Sequence, residues 1–123
     1  MGVSPLVAWR PRKWNTLADA LANLAMDEDR SFRFVSDELM TCMKRRDGFL
    51  LQWHVDGGLR ESGHAARACS LTLLFRQDGA LHRRLLFAAA EPLFLTRSAA
   101  VTERKAMHMA FEFMHEFEMH SIK

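Results

Sequence analysis

Near the start of the chain, apolar residues recur at the spacing of a helix. From Leu17 to Leu24 they return every three or four positions, which brings them to one side of an α-helix. Thr16 precedes this run and, with Asp19 three residues later, has the spacing of a capping box; an acidic cluster follows the run. The pattern therefore predicts a first helix over about residues 16–27.

After this helix the apolar spacing drops to two residues, which indicates β-strands. Asp47-Gly48 and Asp78-Gly79 are turn signals of the kind found in tight hairpins, and each lies between two apolar runs. We therefore predict two hairpins, one around each Asp-Gly pair.

Two stretches beside these turns are less regular. Residues 36–46 fit a strand, which we favour, but they also fit a short helix capped by Ser36. Residues 56–67 contain three of the six glycines and show no apolar period. They are predicted to form an exposed loop between the hairpins.

The last helix is predicted behind Ser98 and ends at about residue 119. Its apolar side comprises Ala99, Ala106, Met107, Ala110, Phe113, Met114 and Phe117. Its opposite side comprises Lys105, His108, Glu112, His115, Glu116 and Met119. We interpret this segment as a helix that packs on a sheet through its phenylalanines and holds its histidines in solvent.

Together these elements predict an α+β fold: an antiparallel sheet of four or five strands, built from two hairpins, with an N-terminal and a C-terminal helix on one face. Residues 14–123 form the single domain, and residues 1–13 form a basic and aromatic arm that is a candidate flexible segment. The other face of the sheet would be partly apolar through Leu50, Leu74 and Leu86, which favours a homodimer.

Composition adds limits to this picture. A chain of 123 residues with 49% hydrophobic residues suits one domain with its own core. The net charge of +2 is too small to identify a nucleic-acid-binding protein by itself. Cys42 and Cys69 show neither metal-site spacing nor a disulfide pattern, so we expect reduced thiols in the cytoplasm. No apolar run approaches the length of a membrane span, so no membrane association is predicted.

Three residues of the last helix are candidate metal ligands. His108, Glu112 and His115 stand at i, i+4 and i+7, close enough for two or three of them to bind one zinc or nickel ion. The HExxH signature is missing, because His120 follows His115 one position too late. We favour a solvated face over a metal site, and expect no cofactor.

Catalytic motifs are weak. His54 and Asp56 share one side of a predicted strand, where an imidazole and a carboxylate could form a general base. No nucleophile elbow and no glycine-rich phosphate loop occur in the sequence. We therefore favour a protein that is not an enzyme, although a small enzyme or metal protein is a third interpretation.

The N-terminal arm carries the alternative function. Trp9, Arg10, Arg12, Lys13 and Trp14 alternate indoles with cations, a combination that stacks on bases and neutralises phosphates. Further arginines would join this arm if the hairpins gathered them, namely Arg45, Arg46, Arg60, Arg67, Arg83 and Arg84. Nucleic-acid binding is thus the second hypothesis.

The preferred hypothesis is protein binding. The chain has eight methionines, whose flexible side chains suit irregular partners, and Met109, Phe111 and Met119 lie near the edge of the apolar side of the last helix. We assign these three residues to a partner-binding surface. The sequence favours a small adaptor, regulator or inhibitor that binds another protein, and it does not identify that partner.

Overall fold

The structure, a computed structural model, describes residues 16–44, 50–93 and 98–121. The predicted arm, residues 1–13, lies outside the described residues. Within them the elements in chain order are α1 (Thr16–Glu28), β1 (Phe32–Val35), α2 (Leu39–Lys44), β2 (Leu50–Leu59), β3 (Ala65–Gln77), β4 (Ala80–Leu93) and α3 (Ala99–Ser121). None of the described helices is long and apolar enough to cross a membrane.

The four strands form one antiparallel sheet with the order β1-β4-β3-β2. This confirms the α+β class, the four-stranded sheet and the helices at the two ends of the chain. The predicted hairpin at Asp78-Gly79 is present between β3 and β4, with φ values of 54° and 77° at its two central residues. Those left-handed conformations match the twist of the flanking strands, and Asp and Gly tolerate them.

The prediction of a hairpin at Asp47-Gly48 is wrong, because residues 39–44, which would form its first strand, form α2. The alternative interpretation, a short helix capped by Ser36, holds for residues 39–44, and the Glu38 N–H donates to Ser36 Oγ at 3.2 Å just before this helix. Leu39 and Cys42, three positions apart, are buried together in the core, which a helix achieves and a strand does not.

The first hairpin instead joins β2 to β3 through a turn over residues 60–64, where the Arg60 N–H donates to the His64 carbonyl at 2.9 Å. Most of the predicted exposed loop over residues 56–67 therefore belongs to these two strands. Two of the three glycines in this stretch, Gly57 and Gly58, are explained by close packing, since both lie directly beneath helices.

The two terminal helices lie on opposite faces of the sheet, which differs from the expected placement on one face. Consecutive strand residues point to opposite faces. A Cβ at Gly57 would meet the backbone of Thr102 in α3, whereas a Cβ at Gly58 would meet Met26 in α1. We call the two sides the α3 face and the α1 face.

Each face has its own core. On the α3 face an aromatic cluster surrounds Phe87, whose ring centroid lies 4.6 Å from that of Phe113 and 5.0 Å from that of Phe117. On the α1 face the core is made of small residues and one methionine, comprising Ala18, Ala22, Ala25, Met26, Ala66, Ala68 and Ala90. We call this second core the alanine cluster.

Candidate interaction surface

The predicted polar side of α3 faces solvent. Lys105, His108, Glu112, His115 and Glu116 are all exposed. His108 Nε2 lies 2.9 Å from Glu112 Oε1, an exposed i, i+4 pair of the kind that adds little stability. Among the described residues, no three His, Cys, Asp or Glu side chains come together as a metal site would require.

The three predicted partner-binding residues occupy different environments. The side chain of Met109 is 1% exposed and belongs to the core on the α3 face. Phe111 is 40% exposed on the flank of the same helix. The side chain of Met119 lies outside the part that the structure describes. Of this set, Phe111 is the described residue that presents a large apolar surface to solvent.

His54 and Asp56 differ in burial, and only Asp56 lines a cleft. His54 is a buried residue opposite Ser70 in the neighbouring strand. Asp56 lines a polar cleft of about 230 Å³ between α1, the edge of β2 and the start of α3, and His54 is not among the residues that line it. Two charged residues around the cleft make structural contacts: Arg60 pairs with Asp27 at 2.6 Å, and Glu103 Oε1 accepts the Gly57 N–H at 3.2 Å.

A hydroxyl and an imidazole meet in the β2–β3 turn, where Ser62 Oγ lies 2.7 Å from His64 Nδ1. The same Oγ also accepts the His64 backbone N–H at 3.4 Å, as in a turn closed by a serine side chain. Both residues are exposed. Nucleophilic catalysis needs a base that a third group orients inside a water-excluding site, so this contact is better explained as turn structure.

Three of the arginines that would extend a nucleic-acid surface have acidic partners. Arg60 pairs with Asp27, Arg67 with Glu91 at 2.7 Å, and Arg84 with Glu38 at 2.6 Å. Each carboxylate offsets the positive charge that a phosphate would need. The candidate nucleic-acid residues Trp9, Arg10, Arg12, Lys13 and Trp14 lie outside the described residues.

Burial raises the pKa of the Cys69 thiol from 9.0 to about 12. Because this residue has no solvent-exposed surface, we expect it to resist a thiol-labelling reagent at pH 8 in the folded chain and to react after unfolding. Peptide mapping of the labelled protein measures the reaction, and rapid labelling of folded Cys69 at pH 8 would contradict the expectation.

The same shift makes stability depend on pH. Because the folded state disfavours the Cys69 thiolate, the contribution of this thiol to the free energy of unfolding is fully present below pH 9 and is lost as the pH rises toward 12.

Exposed apolar side chains concentrate at one edge of the molecule. Seven large hydrophobic residues are exposed in the described part of the chain, and four of them lie on α1 or β1. These are Leu17, Leu24, Phe34 and Val35, which together with the half-buried Leu21 we call the edge patch. The same leucines are the sequence signal for α1, but their spacing does not reveal that they stay outside the core.

The leucines stay outside because alanines occupy the inner side of α1. Leu17, Leu21 and Leu24 each precede a buried alanine by one residue and are therefore rotated about 100° around the helix from it. Leu21 and Phe32 both border the alanine cluster, and Phe34 lies two residues beyond Phe32 on the same face of β1. The leucines and Phe34 of the edge patch therefore share the α1 face, whereas Val35 points to the α3 face, as Arg33 does beside Phe113.

Some backbone N–H and C=O groups of β1 point away from the rest of the sheet. The Ser36 N–H donates to the Leu86 carbonyl at 2.8 Å, which fixes the alternation of the β1–β4 ladder. By that alternation Phe32 and Phe34 bond to β4, whereas the N–H and C=O groups of Arg33 and Val35 point away from it. Val35 and Phe34 are 51% and 48% exposed, and no other strand of the described residues pairs with this side of β1.

Comparison with known proteins adds no relative. No family model matches the chain, and the search found neither a curated protein nor a solved structure that is similar to it.

Proposed function

We propose that the chain is a small non-catalytic binding module, an adaptor, regulator or inhibitor, which contacts a partner protein through the edge patch. The observation that carries this proposal is the concentration of exposed apolar residues on α1 and β1. Exposed apolar residues that adjoin one another on a small domain are typical of interaction surfaces, whereas scattered ones need no explanation.

The chemistry of the described residues supports a protein partner over a nucleic acid. The edge patch combines leucine, valine and phenylalanine side chains with outward backbone groups, which suit another polypeptide. Elsewhere on the surface, Arg60, Arg67 and Arg84 are paired with carboxylates. Cys42 and Cys69 are buried and form no disulfide with each other, which supports a reducing compartment such as the cytoplasm.

Site-specific photocrosslinking in the native host cells tests the proposal. A photoreactive phenylalanine analogue in place of Leu24 places the probe within the edge patch. We expect a discrete covalent protein adduct from this position, because a partner seated on α1 would lie within reach of the probe.

The matched control carries the same probe in place of Leu81, which is 57% exposed at the β3–β4 hairpin and lies outside the edge patch. It should give no adduct of the same mass. The proposal is wrong if neither position yields an adduct, if both yield the same set, or if nuclease treatment removes the adduct formed at position 24.

A further inference from the structure

We infer that the partner at β1 is a second copy of this chain, whose β1 pairs antiparallel with the first across a two-fold axis at Phe34. This inference rests on the proposed function and names the occupant of the edge patch. Four properties of the segment around β1 carry it: its outward backbone groups, its exposed side chains, its charge distribution and its place at the end of the sheet.

The outward backbone groups of β1 can form hydrogen bonds with the same groups in a second copy. Arg33 and Val35 direct their N–H and C=O groups away from β4, and Phe34 lies midway between them. An antiparallel copy centred on Phe34 would place Arg33 opposite Val35 of the second copy, and Val35 opposite Arg33. Each of these two pairs exchanges two hydrogen bonds, so all four outward groups of each strand are satisfied.

The side chains agree with the same register. Phe34 faces its own counterpart in a pair without mutual hydrogen bonds, where the two Cα atoms are about 4.5 Å apart and the side chains are closest. Val35 covers the aliphatic part of the opposite Arg33, whose guanidinium already lies 4.9 Å from the Phe113 ring centroid. The exposed area of Phe34 and Val35 would thus be removed from water.

The charges around β1 form a complementary arrangement. Arg30 precedes the strand, and Asp37 and Glu38 follow it. In the register centred on Phe34, Arg30 lies across from Glu38 of the second copy and beside its Asp37. All three side chains are exposed, but within each copy Arg30 already lies 3.1 Å from Glu28 and Glu38 pairs with Arg84 at 2.6 Å. The attraction between copies is therefore assigned to Arg30 and Asp37.

The position of β1 permits a closed assembly. It is an edge strand of the order β1-β4-β3-β2, so pairing through it extends the sheet from four strands to eight with one two-fold axis. At the opposite edge the side chain of Glu103 already accepts the outward N–H of Gly57. One outward backbone donor of the β2 edge is thus already occupied, and we assign self-pairing to β1.

Cysteine cross-linking tests the register. In the full chain, Phe34→Cys should form a disulfide-linked dimer under mild oxidation, because the two sulfur atoms would face each other in the closest pair of the ladder. Leu81→Cys, an exposed position on the hairpin, is the matched control and should remain monomeric on a non-reducing gel. The native Cys42 and Cys69 are buried and do not interfere.

Charge-reversal variants test the interface without added cysteines. Sedimentation velocity should show a dimer for the unmodified chain, a weakening of about tenfold or more for Arg30→Glu, and recovery of the dimer when Asp37→Lys is added. Circular dichroism of each variant separates loss of pairing from loss of folding. A disulfide as efficient at position 81 as at position 34, or no recovery in the double variant, would overturn this register.

The two proposals can fail separately. A chain that stays monomeric in sedimentation but gives an adduct heavier than two copies from position 24 would refute self-pairing and leave protein binding in place. A chain with no self-association and no adduct would refute both. An adduct of twice the chain mass supports both.

Discussion

Phe87→Ala is expected to lower the free energy of unfolding by about 3–5 kcal/mol, the range for removing a buried aromatic side chain. The Phe87 side chain is fully buried, and the rings of Trp53, Phe113 and Phe117 all contact it at centroid distances between 4.6 and 6.3 Å. Truncation removes these contacts and leaves a cavity between β4 and α3. Urea denaturation followed by tryptophan fluorescence measures the change.

The matched control is Phe111→Ala, which removes the same side chain from an exposed position on α3. It should change the free energy of unfolding by no more than about 0.5 kcal/mol, as surface substitutions usually do. If the two variants were equally stable, the aromatic cluster would not be the centre of the core on the α3 face.

Gly57→Ala is expected to cost about 3 kcal/mol or more, because the new Cβ has no space. It would lie 2.5 Å from the carbonyl carbon of Thr102 and 2.6 Å from its oxygen, both of which are backbone atoms of α3. The helix would have to move away from β2, and the hydrogen bond from the Gly57 N–H to Glu103 would be strained. Thermal unfolding followed by circular dichroism measures the effect.

The neighbouring Gly58→Ala provides the comparison. Its Cβ would approach Met26 Cε to 2.6 Å, but that atom is the end of a flexible side chain that can move aside. We expect Gly58→Ala to be clearly more stable than Gly57→Ala. The reverse order would show that α3 does not rest on Gly57 as described.

The parts of the fold that the sequence predicted correctly depend on local chemistry. The Asp78-Gly79 hairpin follows from two adjacent residues that both tolerate positive φ. The exposed histidines of α3 follow from a clear difference between its two sides, with His108 and His115 opposite Phe117. Neither result needs knowledge of the neighbouring elements.

The errors arose where tertiary packing decides. Leu39 to Lys44 contain too few residues for the apolar spacing to separate a helix from a strand, and contact with α3 selects the helix. In α1, hydrophobicity alone would place leucines inward. The short distance between α1 and Gly58 instead requires small residues such as Ala22 there. The edge patch is a consequence of that distance, so it could not be predicted from the leucines alone.

The alanine cluster has a dynamic consequence. A helix held to a sheet by Ala18, Ala22, Ala25 and one methionine buries little apolar area per turn, so α1 detaches at a lower free energy than α3 with its phenylalanines. Amide protons of α1 would then exchange with solvent through local opening while the sheet remains intact. A partner that covers the leucines raises the free energy of that opening, so occupancy of the surface and order of the first helix rise together.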